Sequence, residues 1–411
     1  MDIQLITPLL KDLFFSARIF ETMAWYLLSL MTPADKHTQS FASLISGKDD
    51  SLFSDLLAGN PVDTQRLLNR SSRRRIRKLL KTRKALVKGA DWTIALIIDA
   101  TLHKRSSPHI NNVQKFNHGK GYVTGHQWTN IGIQIGVEFV PLAPIPFYTK
   151  AECKARGMEY KTEHEKVCHF LKTFSFKHLK GEIVPSEVVV LLDSGYDNKK
   201  IQETIVSRRW DFAVSLKSNR QVSSRPKNWC RIDKYFGDGR RPWTSIRLVF
   251  YRNKMKKWRK YHIKQREGYL KDVHLRVNLV CSQSRKGAKV KHLACSNLSV
   301  SSKTILLAYE IRWAIETFHR EVKSYLGQED AGVKKFNSLH NHVHYVYVAY
   351  NLMKEKFPTK GIKSAQGDLE NEKQIKRRKR YLAKLSLISG KERIKIQLQS
   401  DIQRIEVMKA S

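Results

Sequence analysis

The chain has 411 residues, enough for two or three domains and a sizeable core, and its 41% hydrophobic content is that of a folded protein. Its charge is not ordinary: 76 Lys and Arg against 37 Asp and Glu give a net +39, a field that draws polyanions, with nucleic acid the first partner to consider and an anionic membrane surface the rival. No apolar run reaches the roughly 18–20 residues that span a bilayer, and the five cysteines form no CxxC and are odd in number, so a membrane partner, a disulfide framework and a structural zinc site are all disfavoured and a cytoplasmic protein is expected.

Residues 1–90 lack strand-like runs and read as short helices broken at TPADKHTQS (32–40), SGKDD (46–50) and GNPVD (59–63). The N-terminal stretch TPLLKDLFFSARIFETMAWYLLSLM is interrupted by Lys11, Asp12, Arg18 and Glu21, which makes it an amphipathic helix rather than a signal peptide. RSSRRRIRKLLKTRK (70–84) carries nine Lys or Arg in fifteen residues, a density that points to phosphate contact over a merely solvated face. From 91 the pattern changes. WTIALIIDATL (92–102) is a β-branched run of strand length, two more strands are expected over 129–148 around Gly136, and 153–174 has the helical period. VVVLLDSG (188–195) reads as a buried central strand, NKKIQETIVSRR as a helix and DFAVSLKSN (211–219) as a further strand. This alternation predicts a mixed α/β core. Strand-like pieces at 245–252, 260–270 and 274–283, with the basic turn RNKMKKWRK (252–260), predict a basic, β-rich insertion over 220–300. Helices resume near Ser302; 356–372 reads as a linker and KQIKRRKRYLAKL (373–385) as another basic helix.

Two aspartates close hydrophobic runs: Asp99 after LII and Asp193 after VVVLL. A carboxylate is costly in an interior but suits the crevice at a strand's mouth; a turn or cap role is the competing reading. Asp91 and Asp197 fit the bland role better, Asp197 as a helix N-cap. In YEIRWAIETFHREVKSYLG (309–327), read as one helix, Tyr309, Arg312, Glu316 and Lys323 fall in a stripe about 60° wide, opposite the apolar Ile311, Ile315, Phe318, Val322 and Tyr325. Two readings stay open on geometry: a solvated face on which Glu316 pairs with Arg312 and Arg320 at i±4, or a working carboxylate. Carboxylates converge only if something neutralises them, and a basic side chain or a divalent metal can do so. Two Asp and one Glu supply the oxygen donors that Mg²⁺ or Mn²⁺ requires.

The spacing Tyr309-(2)-Arg312-(3)-Glu316-(6)-Lys323, with IIDATL around Asp99 and LLDSGY around Asp193, resembles the Tyr–Arg–Glu–Lys signature of bacterial insertion-sequence transposases with an Asp-Asp-Glu triad. The resemblance covers roughly 91–330. The long Asp193–Glu316 separation suits the branch with a β-rich insertion. It implies a ribonuclease H-like catalytic core in two parts, 91–219 and 301–330, split by the 220–300 insertion, between a helical DNA-binding region (1–90) and a helical basic C-terminal region (331–411). It implies that Asp99, Asp193 and Glu316 bind Mg²⁺ or Mn²⁺ as a pair of ions, and that Tyr309, Arg312 and Lys323 contact DNA near the scissile phosphate. The expected partners are double-stranded DNA, as element terminal inverted repeats and as target, and a second copy in a homodimer on paired ends, in the bacterial cytoplasm at the nucleoid. A catalytically silent DNA-binding relative and a non-transposing nuclease are the competing functions. Trp229, Trp243 and Trp258 lie in the insertion, and each reads as a core or surface residue. GKGYVTG (119–125) is no dinucleotide fingerprint, and His340, His342 and His344 in HNHVH are expected to pack or to meet DNA rather than bind metal.

Overall fold

The computed structural model describes residues 16–372 except 60–61, 106–109, 118–120, 178–182, 238–241, 253–254, 274 and 286. The basic stretch 373–385 and the first residues of the N-terminal amphipathic stretch lie outside the described residues.

Among the described residues four helices come first: α1 (Ala17–Met31), α2 (Gln39–Ser46), α3 (Asp50–Ala58) and α4 (Thr64–Leu80). Ser16, Thr38, Asp49 and Asp63 cap them, each side chain accepting a hydrogen bond from a first-turn N–H. Five strands follow: β1 (Ile94–Lys104), β2 (Gln114–Asn117), β3 (Tyr122–Ile135), β4 (Glu138–Pro141) and β5 (Ile145–Pro146). Gly136, at φ 56°, makes the β3–β4 turn. The stretch 153–174, expected as one helix, is two: α5 (Lys150–Ala155) and α6 (Glu163–Thr173), separated where Gly157 adopts φ 65°. Then come β6 (Val188–Leu192), a 3₁₀ turn Ser194–Tyr196, α7 (Lys199–Ser207) and β7 (Asp211–Leu216). The cap of α7 is Asn198, not Asp197; Asp197 instead accepts from Gln202 and pairs with Arg220 at 3.4 Å.

The region 220–300 holds β8 (Gln221–Ser223), β9 (Cys230–Arg231), α8 (Ile232–Gly237), β10 (Thr244–Arg252), β11 (Met255–Leu270), β12 (Arg276–Gln283) and β13 (Lys291–Cys295). These strands do not form a separate sheet. β13 pairs antiparallel with β7, so one mixed sheet runs in the order β2-β3-β1-β6-β7-β13-β12-β11-β8-β9. Within it β1, β6 and β7 are parallel neighbours and β3 is antiparallel to β1. A large mixed sheet with helices on it is consistent with a ribonuclease H-like fold. The chain continues through α9 (Ser302–Ile311), α10 (Trp313–Tyr325) and α11 (Phe336–Lys356). The expected linker at 356–372 is instead packed: 362–372 is helical, and Ile362, Ala365 and Leu369 are buried in the core. Their spacing of three and four is the amphipathic period that a Gly- and Lys-bearing sequence obscured.

Strand alternation sorts the sheet's residues into two cores. Ile94, Leu96 and Ile98 of β1, with Val188, Val190 and Leu192 of β6, face the layer holding Val167 and Leu171 of α6 and Ile201 and Ile205 of α7. Ala95 and Ile97, with Val189 and Leu191, face the other layer, built by α1, α3, α4, α9, α10 and α11. α11 is buried along most of its length, from Phe336 to Met353, and is the central helix of that layer.

Candidate active site

The same alternation places the two aspartates. β1 and β6 run in parallel register up to Ile98 opposite Leu192, so the next residues, Asp99 and Asp193, stand side by side. Both continue the parity of Ile97 and Leu191, whose face is covered by α10. β1 does not end at Asp99 as its apolar run does. It continues to Lys104 against β3, with Asp99 opposite Asn130, so Asp99 marks where the parallel partner leaves rather than where the strand stops. Asp193 directly follows β6 and its side chain caps nothing, which leaves the carboxylate free for other work.

The helix expected over 309–327 divides at Arg312, which is the C-cap of α9 and the N-cap of α10. Glu316 therefore sits in the first turn of α10, where the helix N-terminus favours a carboxylate. The four-residue stripe is not a solvated face. Tyr309 is 2% exposed and Arg312 7%, while Trp313 and Arg320 point outward. Ile315, Phe318 and Val322 are buried, and Ile311 and Tyr325 are partly so.

Arg312 is the hub. One guanidinium nitrogen lies 3.5 Å from Asp99 Oδ2 and another donates to Glu316 Oε1 at 2.5 Å. The group also lies 5.5 Å from the centroid of the Tyr309 ring, which Lys291 approaches at 4.9 Å. The Tyr309 hydroxyl donates to Asp193 Oδ1 at 3.4 Å. All three carboxylates are thus joined through two side chains of the stripe. Burial pushes Asp99 up, Arg312 offsets part of that, and the charges of Asp193 and Glu316 push it up again, to about 7. Burial alone would lower the Arg312 guanidinium, but Tyr309, Asp99, Glu316 and Asp193 outweigh it and hold the charge more firmly. Burial likewise raises Tyr309, so its phenol stays a donor.

Lys323, two turns on from Glu316, donates to the Leu102 carbonyl at 2.7 Å and pairs with Glu329 at 2.8 Å, fastening α10 to the far half of β1. Beside it a groove of about 460 Å³ is lined by Thr101, Phe116, Asn117, Gln127, His319 and Arg320 among others. Among the described residues no three His, Cys, Asp or Glu side chains are drawn together closely enough to hold a metal ion as they stand. The donor set is nevertheless the all-oxygen set that a hard divalent cation takes. Burial first, and then the charges of Asp193 and Glu316, raise Asp99, and Arg312 already holds a cation's place between Asp99 and Glu316. The residues fit such an ion once the guanidinium gives way.

Several site residues escaped the sequence reading. Asn130, opposite Asp99, donates to His319 Nε2 at 2.7 Å and accepts from Tyr347 at 2.7 Å, tying β3 to α10 and α11. His319 is pushed down to about 3 by burial, Lys323 and Arg312, so it is a neutral acceptor. Its place three residues after Glu316 was a signal; Asn130 had none, because only the β1–β3 register brings it there. The HNHVH histidines pack internally: Trp128 donates to His340, Tyr26 pairs with His342, and Thr64 pairs with His344. Trp243 and Trp258 are exposed. In α4 the arginines Arg66, Arg70, Arg73, Arg74 and Arg77 line an open groove. No described helix is long and apolar enough to cross a membrane.

No curated protein matches the chain. Residues 162–352, which include Asp193 and Glu316 but not Asp99, match the family model described as a transposase DDE domain, and that match supports a transposase of the DDE class.

Proposed function

We propose that the protein is a bacterial insertion-sequence transposase that cuts DNA at element ends and joins it to a target. The observation that supports this reading is that Arg312 links Asp99 of the sheet to Glu316 of α10, while Tyr309, beside Arg312, bonds Asp193. Asp99, Asp193 and Glu316 are the residues that would hold a pair of Mg²⁺ or Mn²⁺ ions, with Asp99 releasing its proton as they bind. Bound divalent cations supply Lewis-acid activation of the attacking oxygen and neutralise charge on the leaving oxygen. In the first reaction a water oxygen bonds to phosphorus and the bond to the 3′ oxygen breaks, leaving a 3′-hydroxyl and a 5′-phosphate. In the second that 3′-hydroxyl bonds to a target phosphorus and displaces the target's own 3′ oxygen. One phosphodiester is exchanged for another, so no external energy source is needed.

The other residues of the stripe position and grip. Ions held by Asp99 and Glu316 would compete with Arg312 for those carboxylates, which would leave its guanidinium for the flanking phosphate, with the Tyr309 ring beside it and the Tyr309 hydroxyl on Asp193. Lys323, with Arg320 beside it, meets phosphates along the groove next to the triad. The Arg66, Arg70, Arg73 and Arg77 face of α4 serves as a second phosphate-binding surface, the role expected of the helical N-terminal region. Two copies acting on paired terminal inverted repeats, in the cytoplasm at the nucleoid, complete the reading.

The experiment that tests it supplies duplex DNA carrying the short inverted repeats that flank the coding region, Mg²⁺ and a plasmid target. Nicked ends and joined products are expected. Tight end binding without nicking under either Mg²⁺ or Mn²⁺ would make the protein a silent DNA binder, and cleavage without joining would make it a nuclease.

A further inference from the structure

Outside the triad, one carboxylate near the site is held by more hydrogen bonds than a surface residue needs. Glu163, in the first turn of α6, accepts from Tyr196 Oη at 2.6 Å and Thr129 Oγ1 at 2.7 Å on one oxygen, and from Gln127 Nε2 at 2.9 Å on the other. Its donors come from two different elements. Tyr196 is the buried end of the 3₁₀ turn that begins at Asp193, and its N–H donates to the Asp193 carbonyl at 2.9 Å. Thr129 and Gln127 lie on β3, opposite Ala100 and Leu102 of β1, one and three register positions beyond Asp99. The next residue, His164, grips the same turn from outside, with Nε2 against the Gly195 carbonyl at 2.9 Å and Nδ1 near Asn198 at 3.4 Å.

Asp193 has no cap bond and stands just past the end of β6, so besides the Tyr309 hydroxyl it depends on the turn that follows it for its direction. That turn also lies against β7, and its side-chain ties run to Glu163 of α6 and, beside it, to Thr129 of β3, both through Tyr196.

We propose that Glu163 is a positioning residue for the triad, clamping the turn after Asp193 to β3 and so fixing the spacing between the Asp193 and Asp99 carboxylates. With three donors on two oxygens it is close to saturated as an acceptor, and it acts through Tyr196 and Thr129 rather than as a fourth ligand. The inference rests on the reading of Asp99, Asp193 and Glu316 as metal ligands. Residues that orient ligands in this way commonly alter metal affinity by about 10–100-fold when removed.

The test is Mn²⁺ binding to the full chain, by electron paramagnetic resonance, in the parent, Glu163→Ala, Glu163→Gln and Tyr196→Phe, with circular dichroism to report the fold. Glu163→Ala is expected to weaken Mn²⁺ by about tenfold. Glu163→Gln keeps an oxygen for Tyr196 and Thr129 and is expected to stay close to the parent. Tyr196→Phe, which deletes a single oxygen and keeps the ring, is expected to fall between the two; it answers the question should the alanine variant not fold. Parent-like binding by folded Tyr196→Phe and Glu163→Ala would overturn the proposal, as would a glutamine variant as weak as the alanine one, since charge rather than hydrogen bonding would then matter. A parent chain that takes up no Mn²⁺ would instead overturn the metal reading itself, and this inference with it.

Discussion

Arg312 decides the chemistry of the site at the level of single residues. A buried guanidinium between two carboxylates is tolerated because each neutralises the other, and deleting one member of such a group leaves uncompensated charge that typically costs about 3–5 kcal/mol. Arg312→Met is therefore expected to lower the stability of the metal-free protein by a few kcal/mol, somewhat less than that range because Asp99 and Glu316 are partly exposed, and to raise Asp99 above its value of about 7; urea unfolding and carboxyl-carbon NMR titration measure the two effects. The pH dependence follows from Asp99 itself. Its pKa is raised on folding from 3.8 to about 7, so the folded protein binds this proton more tightly than the unfolded chain. The stabilisation that the proton provides is full below about 4, is lost as pH rises through about 7, and is flat above. The difference in melting temperature between the parent and Asp99→Asn isolates it, because the asparagine variant lacks that slope. Metal binding at the proposed site is expected to run the other way, strengthening as pH rises through about 7, since the ligand must lose its proton.

Packing on the far side of α10 holds Glu316 in place at the level of the helix. Phe318 meets Phe139, Tyr347 and Tyr350 at centroid separations of 5.1, 4.8 and 4.9 Å, and truncating a buried Phe to Ala generally costs about 3–5 kcal/mol. Phe318→Ala should lose that much in chemical denaturation although it touches none of the three carboxylates. This element also shows what a sequence can and cannot disclose. The amphipathic period made the buried face of α10 legible, and contiguous apolar runs ending in Asp made β1, β6 and their carboxylates legible. The division at Arg312 was not, because no Pro or Gly marks it; nor was the burial of Tyr309 and Arg312, whose partners Asp193 and Asp99 lie far away in sequence. Asn130 and Glu163 were invisible for the same reason. Each owes its place to cross-strand register or to the docking of α6, and neither is encoded in any local pattern. The packed helix at 362–372 was hidden by a composition that resembles a linker.

The charge of +39 frames the whole molecule, since a small acidic site must work within a strongly positive field. In the proposed reading the positive surface would gather the polymer and the carboxylates would gather cations. DNA affinity should fall steeply with salt as bound counterions are released. Replacing Arg66 and Arg73 of the α4 groove with Ala should reduce the slope of log affinity against log salt by about 2 without altering cleavage chemistry. The central claim, that Asp99, Asp193 and Glu316 form one metal-dependent centre, is tested most directly by end-DNA cleavage with Mg²⁺ in the parent and in Asp193→Asn, alongside a gel-shift assay in the absence of metal. The account predicts that the asparagine variant binds DNA like the parent and does not cut it; cleavage at the parent rate by Asp193→Asn would contradict it.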